Sequence, residues 1–126
     1  MIYLDANVII RFVEGIEADR LPIEARLRQE RVLTSQLSRL ECRCLPLKQN
    51  DRILLHLYDT FFAGPELSVA EVTRAVIDRA TELRARFNFK APDAIHLASA
   101  IEMGADVFLT GDQQLTRCSA IPVELI

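Results

Sequence analysis

Apolar residues in this chain gather into short runs divided by longer stretches with helical spacing. Ile2–Leu4 predicts a strand, and Ala6–Glu14 a helix that Gly15 ends. Leu21, Ala25 and Leu27 space out a helix over Ala18–Glu30, and Val32 and Leu33 mark a second strand over Arg31–Thr34. Two helices follow, Gln36–Gln49 and Asp51–Ala63, the latter stopped by Gly64-Pro65. Glu66–Val69 reads as a third strand. Ala70–Phe87 reads as a long helix with Val72, Ala75, Val76, Ala80 and Leu83 on one face. Pro92–Met103 is a helix with proline tolerated in its first turn and Gly104 past its end. Asp106–Leu109 is a fourth strand, Gln113–Cys118 a short helix and Val123–Leu125 a last strand.

Short apolar strands alternating with helices predict an α/β fold with a central, mainly parallel sheet covered on both faces. In such folds ligands bind at the carboxyl ends of the strands. The 126 residues suit one domain, residues 1–126, with a real core. Half of the residues are hydrophobic, a globular composition. A net charge of −3 gives no global basic footprint of the kind a tight duplex binder shows. Of the 15 basic residues only Lys48 and Lys90 are lysine; arginine suits bidentate phosphate contacts, though an arginine-rich surface is also an ordinary one. Cys42, Cys44 and Cys118 are an odd count without zinc-ligand spacing, so reduced thiols and a cytoplasmic location are expected. No apolar run approaches the roughly 20 residues that span a bilayer, and the apolar start lacks the basic flank of a signal peptide.

Most of the 18 acidic residues lie among polar neighbours, but four do not. Asp5 interrupts the apolar run of "MIYLDANVII" at the end of the first strand; its local alternative is an N-cap. Glu41, in "SQLSRLECRCL", shares a helix face with Leu37, Cys44 and Leu45; its alternative is a stem lying on the core with its head in water. Asp93 occupies a first turn, where the helix dipole favours a carboxylate, yet Leu97 and Ala100 share its face and turn it inward. Asp112 follows "VFLTG", where a turn or cap residue is also at home. Strand ends and helix starts share one edge of a parallel sheet, so the four are expected to meet. At about 5 Å and an effective dielectric near 20, each like-charged pair costs about 3 kcal/mol. Such a cluster calls for protons or a divalent cation, and all-oxygen donors select hard Mg²⁺ or Mn²⁺ over zinc. Hard metals held by carboxylates at an open edge are suited to phosphodiester hydrolysis.

The segments "YLDANVII", "SRLECRC", "KAPDAIHLASA" and "ADVFLTGD", in this order and spacing, resemble the PIN-domain ribonucleases, and above all the VapC-type toxins of toxin–antitoxin pairs. The resemblance covers essentially the whole chain. It implies a PIN-like three-layer α/β/α fold and an Mg²⁺- or Mn²⁺-dependent endoribonuclease acting on structured or ribosome-associated RNA. It also implies a homodimer and inhibition by a cognate small antitoxin. Carried over residue by residue, Asp5, Glu41 and Asp93 would hold the metal, with Asp112 binding a second ion or positioning water. Asn7 and Thr110 would support them. Ala6 stands where many relatives have Thr or Ser, which removes a hydroxyl near the metal but no ligand.

Other residues carry less. His96, one turn after Asp93, reads as packed or hydrogen-bonded rather than as a base, and His56 as structural or interfacial. The cysteine pair would face opposite ways on a helix. Arg39, Arg43 and Lys90 are candidates for phosphate contacts or for local charge balance. "LHLYDTFFAG" holds more apolar residues than one helix face buries, which suggests core or a groove for an antitoxin helix or a second subunit. A haloacid-dehalogenase-like phosphatase would need an acidic residue where Asn7 stands, and a neutral amide cannot serve as an acid. A non-catalytic protein- or RNA-binding module on the same fold remains the alternative, and the four intact acids count against it.

Overall fold

A computed structural model describes residues 1–126. The strands are β1 (Ile2–Leu4), β2 (Val32–Ser35), β3 (Leu67–Ala70), β4 (Val107–Thr110) and β5 (Val123–Leu125). They form one sheet in the order β3-β2-β1-β4-β5, every neighbouring pair parallel. The helices are α1 (Ala6–Glu14), α2 (Glu17–Leu27), α3 (Gln36–Lys48), α4 (Arg52–Phe62), α5 (Arg74–Phe87) and α6 (Ala91–Glu102), with a 3₁₀ turn at Gln113–Arg117. None of them is long and apolar enough to cross a membrane.

The period of two along each strand divides the core into two layers. Tyr3 of β1 pairs in register with Leu33 on one side and Phe108 on the other. These three pack with Val76, Ala80 and Leu83 of α5 and Ala94, Leu97 and Ala98 of α6. The alternate residues Ile2, Leu4 and Leu109 face the other way. They pack with Val8 and Ile9 of α1, Ile23 of α2, Cys42 of α3, and Tyr58 and Phe62 of α4. Helices on both faces of a parallel sheet make the three-layer α/β/α sandwich, which explains strands that are apolar at nearly every position.

The chain lays β1, β2 and β3 outward in one direction, then returns through α5 and α6 to place β4 on the free side of β1. The topological switch point therefore falls between the carboxyl ends of β1 and β4, the position where parallel α/β sheets open a binding crevice.

Most boundaries fall within one residue of the sequence reading, and two differ by more. The helix expected from Ala70 begins at Arg74, because Ala70 extends the ladder by pairing with Ser35. Thr73 sets the start by accepting a hydrogen bond from the Val76 N–H at 3.2 Å, so Val72 lies outside the helix and is 37% exposed. Likewise α2 stops at Leu27, short of Glu30. The turn from α1 to α2 depends on Gly15, where a Cβ would lie 2.2 Å from the Arg11 carbonyl oxygen. Gly15→Ala should therefore lower the unfolding free energy by about 1–3 kcal/mol, the usual cost of overpacking, read by urea denaturation.

Candidate active site

Asp5 caps α1 and also receives hydrogen bonds from two other groups. Its Oδ1 accepts from the Ala6 N–H at 2.8 Å, while Oδ2 accepts from Thr110 Oγ1 at 2.7 Å and Asn7 Nδ2 at 3.0 Å. A carboxylate offers about four acceptor positions, and the chain fills three of them. These bonds offset the desolvation of a charge that is only 4% exposed. The local cap reading was thus correct but incomplete. Thr110, fully buried at the end of β4, accepts in turn from the Asp112 N–H at 3.0 Å. Asn7 completes the clasp by accepting from the Gly111 N–H at 2.8 Å. Asp112 spends one oxygen, Oδ1, on capping the 3₁₀ turn through the Gln114 N–H at 2.9 Å.

Glu41 and Asp93 approach from the helices. Glu41 is half-exposed, and Cys44 and Leu45 beside it are exposed, so it does not lie on an apolar stripe as its spacing suggested. The buried face of α3 is instead Ser38, Cys42 and Pro46. Glu41 stands at the border of that face, where its Oε1 meets His96 Nε2. The same imidazole lies 3.8 Å from Asp5 Oδ1, and its Nδ1 is 2.8 Å from the Tyr3 hydroxyl. Tyr3 in turn donates to Ser35 Oγ at 2.8 Å. Burial holds the Tyr3 phenol well above its ordinary range, so it stays protonated.

Asp93 lies in the first turn of α6. Its carboxyl is raised above the usual range, first by burial and then by the charges of Asp5 and Asp112, with Glu41 adding to them; His96 opposes the rise. This mutual repulsion ties Asp93 electrostatically to the other three acids. No three His, Cys, Asp or Glu side chains stand together in a geometry that would hold a metal ion. The arrangement is a convergent, oxygen-rich, negatively charged edge with a single imidazole in it. A separate hollow lined by Leu27, Val32, Phe61 and Leu67 opens at the amino ends of β2 and β3, away from the carboxylates.

Tyr3, Thr34, Ser35 and Ser38 are part of this edge and were not anticipated. Thr34 donates to the Leu4 carbonyl at 2.8 Å, and Ser38 Oγ lies 2.7 Å from Thr34 Oγ1. The available signal was a tyrosine in a buried strand and a histidine on an Ala/Leu helix face, each of which requires a polar partner. The remaining candidates fall elsewhere. Arg43 pairs with Asp59 at 2.7 Å. His56 is exposed. Cys42 is buried and Cys44 exposed, and burial pushes the Cys42 thiol up to about 12, which keeps it inert.

The sheet order, the switch-point crevice and the acidic edge agree with the match of residues 2–120 to the family model of the PIN domain, and the chain belongs to that family. Several solved structures share the fold. VapBC2 from Rickettsia felis, bound to a promoter DNA fragment, superposes with a TM-score of 0.82 at 16% identity, over 99% of this chain and 98% of that one. DNA-bound VapBC from Salmonella typhimurium gives 0.81 at 18% identity, over 98% and 96%. VapC20 from Mycobacterium tuberculosis, described as a sarcin-ricin loop cleaving toxin, gives 0.78 at 15% identity, over 94% and 95%. Among curated proteins, none matches the chain.

The raised Asp93 carboxyl makes a prediction with a definite sign. Folding favours its protonated form, so its contribution to stability is present at low pH and is lost as pH rises through its raised value. In metal-free buffer the stability of wild type relative to Asp93→Asn should fall across that window, measured by urea denaturation at a series of pH values. A flat difference would show that Asp93 is not under this strain.

Proposed function

We propose that the chain is a divalent-metal-dependent endoribonuclease, the toxin half of a toxin–antitoxin pair, working as one domain over residues 1–126. The observation that carries this reading is the convergence of Asp5, Glu41, Asp93 and Asp112 at the switch point, with Asp93 raised first by burial and then by the charges of the other three. Membership in the PIN-domain family supports it, as does a fold shared with an RNA-cleaving toxin of M. tuberculosis. The donor set suits Mg²⁺ or Mn²⁺: it is made of carboxylate oxygens, no Lys or Arg is paired with any of the four, and the one imidazole is already engaged by Glu41.

Asp5, Glu41 and Asp93 would hold the cation, with Asp112 placing a second ion or a water. Such a cation, when bound, neutralises the carboxylates, polarises the scissile phosphate and makes water more acidic. The chain's own contribution is orientation. Thr110 and Asn7 fix Asp5 through Oδ2, and His96, steadied by Tyr3, meets Glu41. Water attacks phosphorus in line, the P–O3′ bond breaks, and the products carry a 5′-phosphate and a 3′-hydroxyl.

Partners follow from the surface of α3 and α4. Leu40, Leu47, Ile53 and Leu57 remain exposed there, at 62%, 63%, 79% and 49%. This excess of unburied apolar side chains supports an antitoxin segment or a second copy of the chain as a covering partner. Reduced cysteines fit a cytoplasmic setting.

Cleavage of RNA by wild type, Asp5→Asn and Asp93→Asn, with Mg²⁺ and with chelator, tests the proposal. Wild type should cut only with metal, and each variant should lose about a thousandfold, corresponding to several kcal/mol of charge stabilisation. Cleavage that survives chelator equally in all three would sink it. Independently of activity, Mg²⁺ or Mn²⁺ should raise the Tm of wild type more at neutral than at acid pH, because protons compete for the same oxygens. Asp93→Asn should blunt that rise.

A further inference from the structure

Four basic side chains stand on the segments that lead into Asp93 and out from Asp112. Arg84 and Arg86 lie in the last turn of α5, Lys90 directly precedes α6, and Arg117 ends the 3₁₀ turn that Asp112 caps. All four are exposed. None is paired with a carboxylate, whereas Arg26, Arg43 and Arg79 each lie within 3.0 Å or less of one, at 2.7, 2.7 and 2.9 Å. Neutral groups orient the cluster instead. Arg84 donates to the Phe89 carbonyl at 3.2 Å, and Arg117 to the Phe87 carbonyl at 2.8 Å. Arg86 reaches Ser119 Oγ at 3.4 Å. Arg86 also stacks over the Phe87 ring at 4.8 Å and Arg117 over the Phe89 ring at 4.7 Å. The three guanidiniums are therefore aimed but not neutralised, and Lys90 adds an unpaired charge beside them.

Helix electrostatics do not account for the set. The α5 dipole favours Arg84 and Arg86 at its carboxyl end. It says nothing about Arg117 on another element, and the α6 dipole disfavours Lys90 at its amino end. Guanidiniums immobilised by carbonyls and rings have already met part of the ordering cost of binding an anion. The acidic edge, in turn, repels a polyanion, so a strand can approach it only where cations on the rim outweigh the carboxylates.

We propose that Arg84, Arg86, Lys90 and Arg117 form a phosphate track along which a single RNA strand reaches the carboxylate edge. The proposal rests on the ribonuclease reading for its choice of polyanion. Binding of a fluorescein-labelled single-stranded RNA, followed by anisotropy in chelator so that no cutting occurs, tests it. The variant is Arg86→Gln with Lys90→Gln, since neither side chain supports the backbone. Arg52→Gln, an exposed arginine of α4 in the opposite layer, is the control. The double variant should weaken binding about tenfold or more at ~0.1 M salt and reduce the slope of log affinity against log salt by about 1.4, two single-strand phosphate contacts. Arg86→Lys with Lys90→Arg should restore most of both, and the control should change little. If wild type binds and cuts RNA while the double variant keeps its affinity and slope, the track is wrong and the ribonuclease reading stands; the cluster would then be free to serve an acidic protein segment. If binding depends on the track but wild type cuts nothing, the track stands and the ribonuclease reading falls. If wild type binds no RNA, both fall.

Discussion

A carboxylate that is 4% exposed at the end of the central strand is the constraint around which this molecule is arranged. Asp5 can stay there only if its oxygens are met by donors. Three donors meet them, and they come from both sides of the switch point: Ala6 and Asn7 at the start of α1, and Thr110 at the end of β4. The β1–β4 pairing, between strands about a hundred residues apart in sequence, is what brings Thr110 within reach. The Asp5 N–H donates to the Leu109 carbonyl at 3.0 Å, so the ladder itself extends into the site.

The same topology delivers the other acids. For β4 to lie beside β1, the chain must cross one face of the sheet through α5 and α6, and α6 then starts at the crevice with Asp93 in its first turn. On α3, Cys42 of the buried face packs towards α1, and Glu41 beside it stands against His96 of α6. Tyr3 and His96 run a line of polar contacts from the middle of the sheet to Glu41 at the edge. Fully satisfied buried networks of this kind hold side chains in one arrangement. The result is a rigid mount whose ends at the crevice carry negative charge, and burial together with that charge raises the Asp93 carboxyl.

Charge of the opposite sign is arranged by a different rule. Arg26, Arg43 and Arg79 are spent on local ion pairs that tie neighbouring elements together. Arg84, Arg86 and Arg117 are held by carbonyls, a hydroxyl and aromatic rings, and keep their charge without a carboxylate partner. In a chain of net charge −3, this local division is invisible to any count of residues.

The sequence by itself determined the alternation of elements and the parallel sheet, and it singled out four acids as candidates, because strand burial, helix spacing and a charge in an apolar run are all local signals. It placed Asp5, Asp93 and Asp112 at strand ends and helix starts correctly. It misjudged the start of α5, where Ala70 had equal claims as a helix former and as the last rung beside Ser35; only the partner strand decides between them. It misread the stripe around Glu41, since helical spacing says which residues share a face but not which neighbour that face meets. The Tyr3–His96–Glu41 line and the bond from Arg117 to the Phe87 carbonyl join residues 30 to 93 positions apart, and Thr110 meets Asp5 across a still greater separation. Long-range hydrogen bonds and the sharing of repulsion among carboxylates depend on distances that exist only once the layers have packed, and those were decided by the tertiary structure alone.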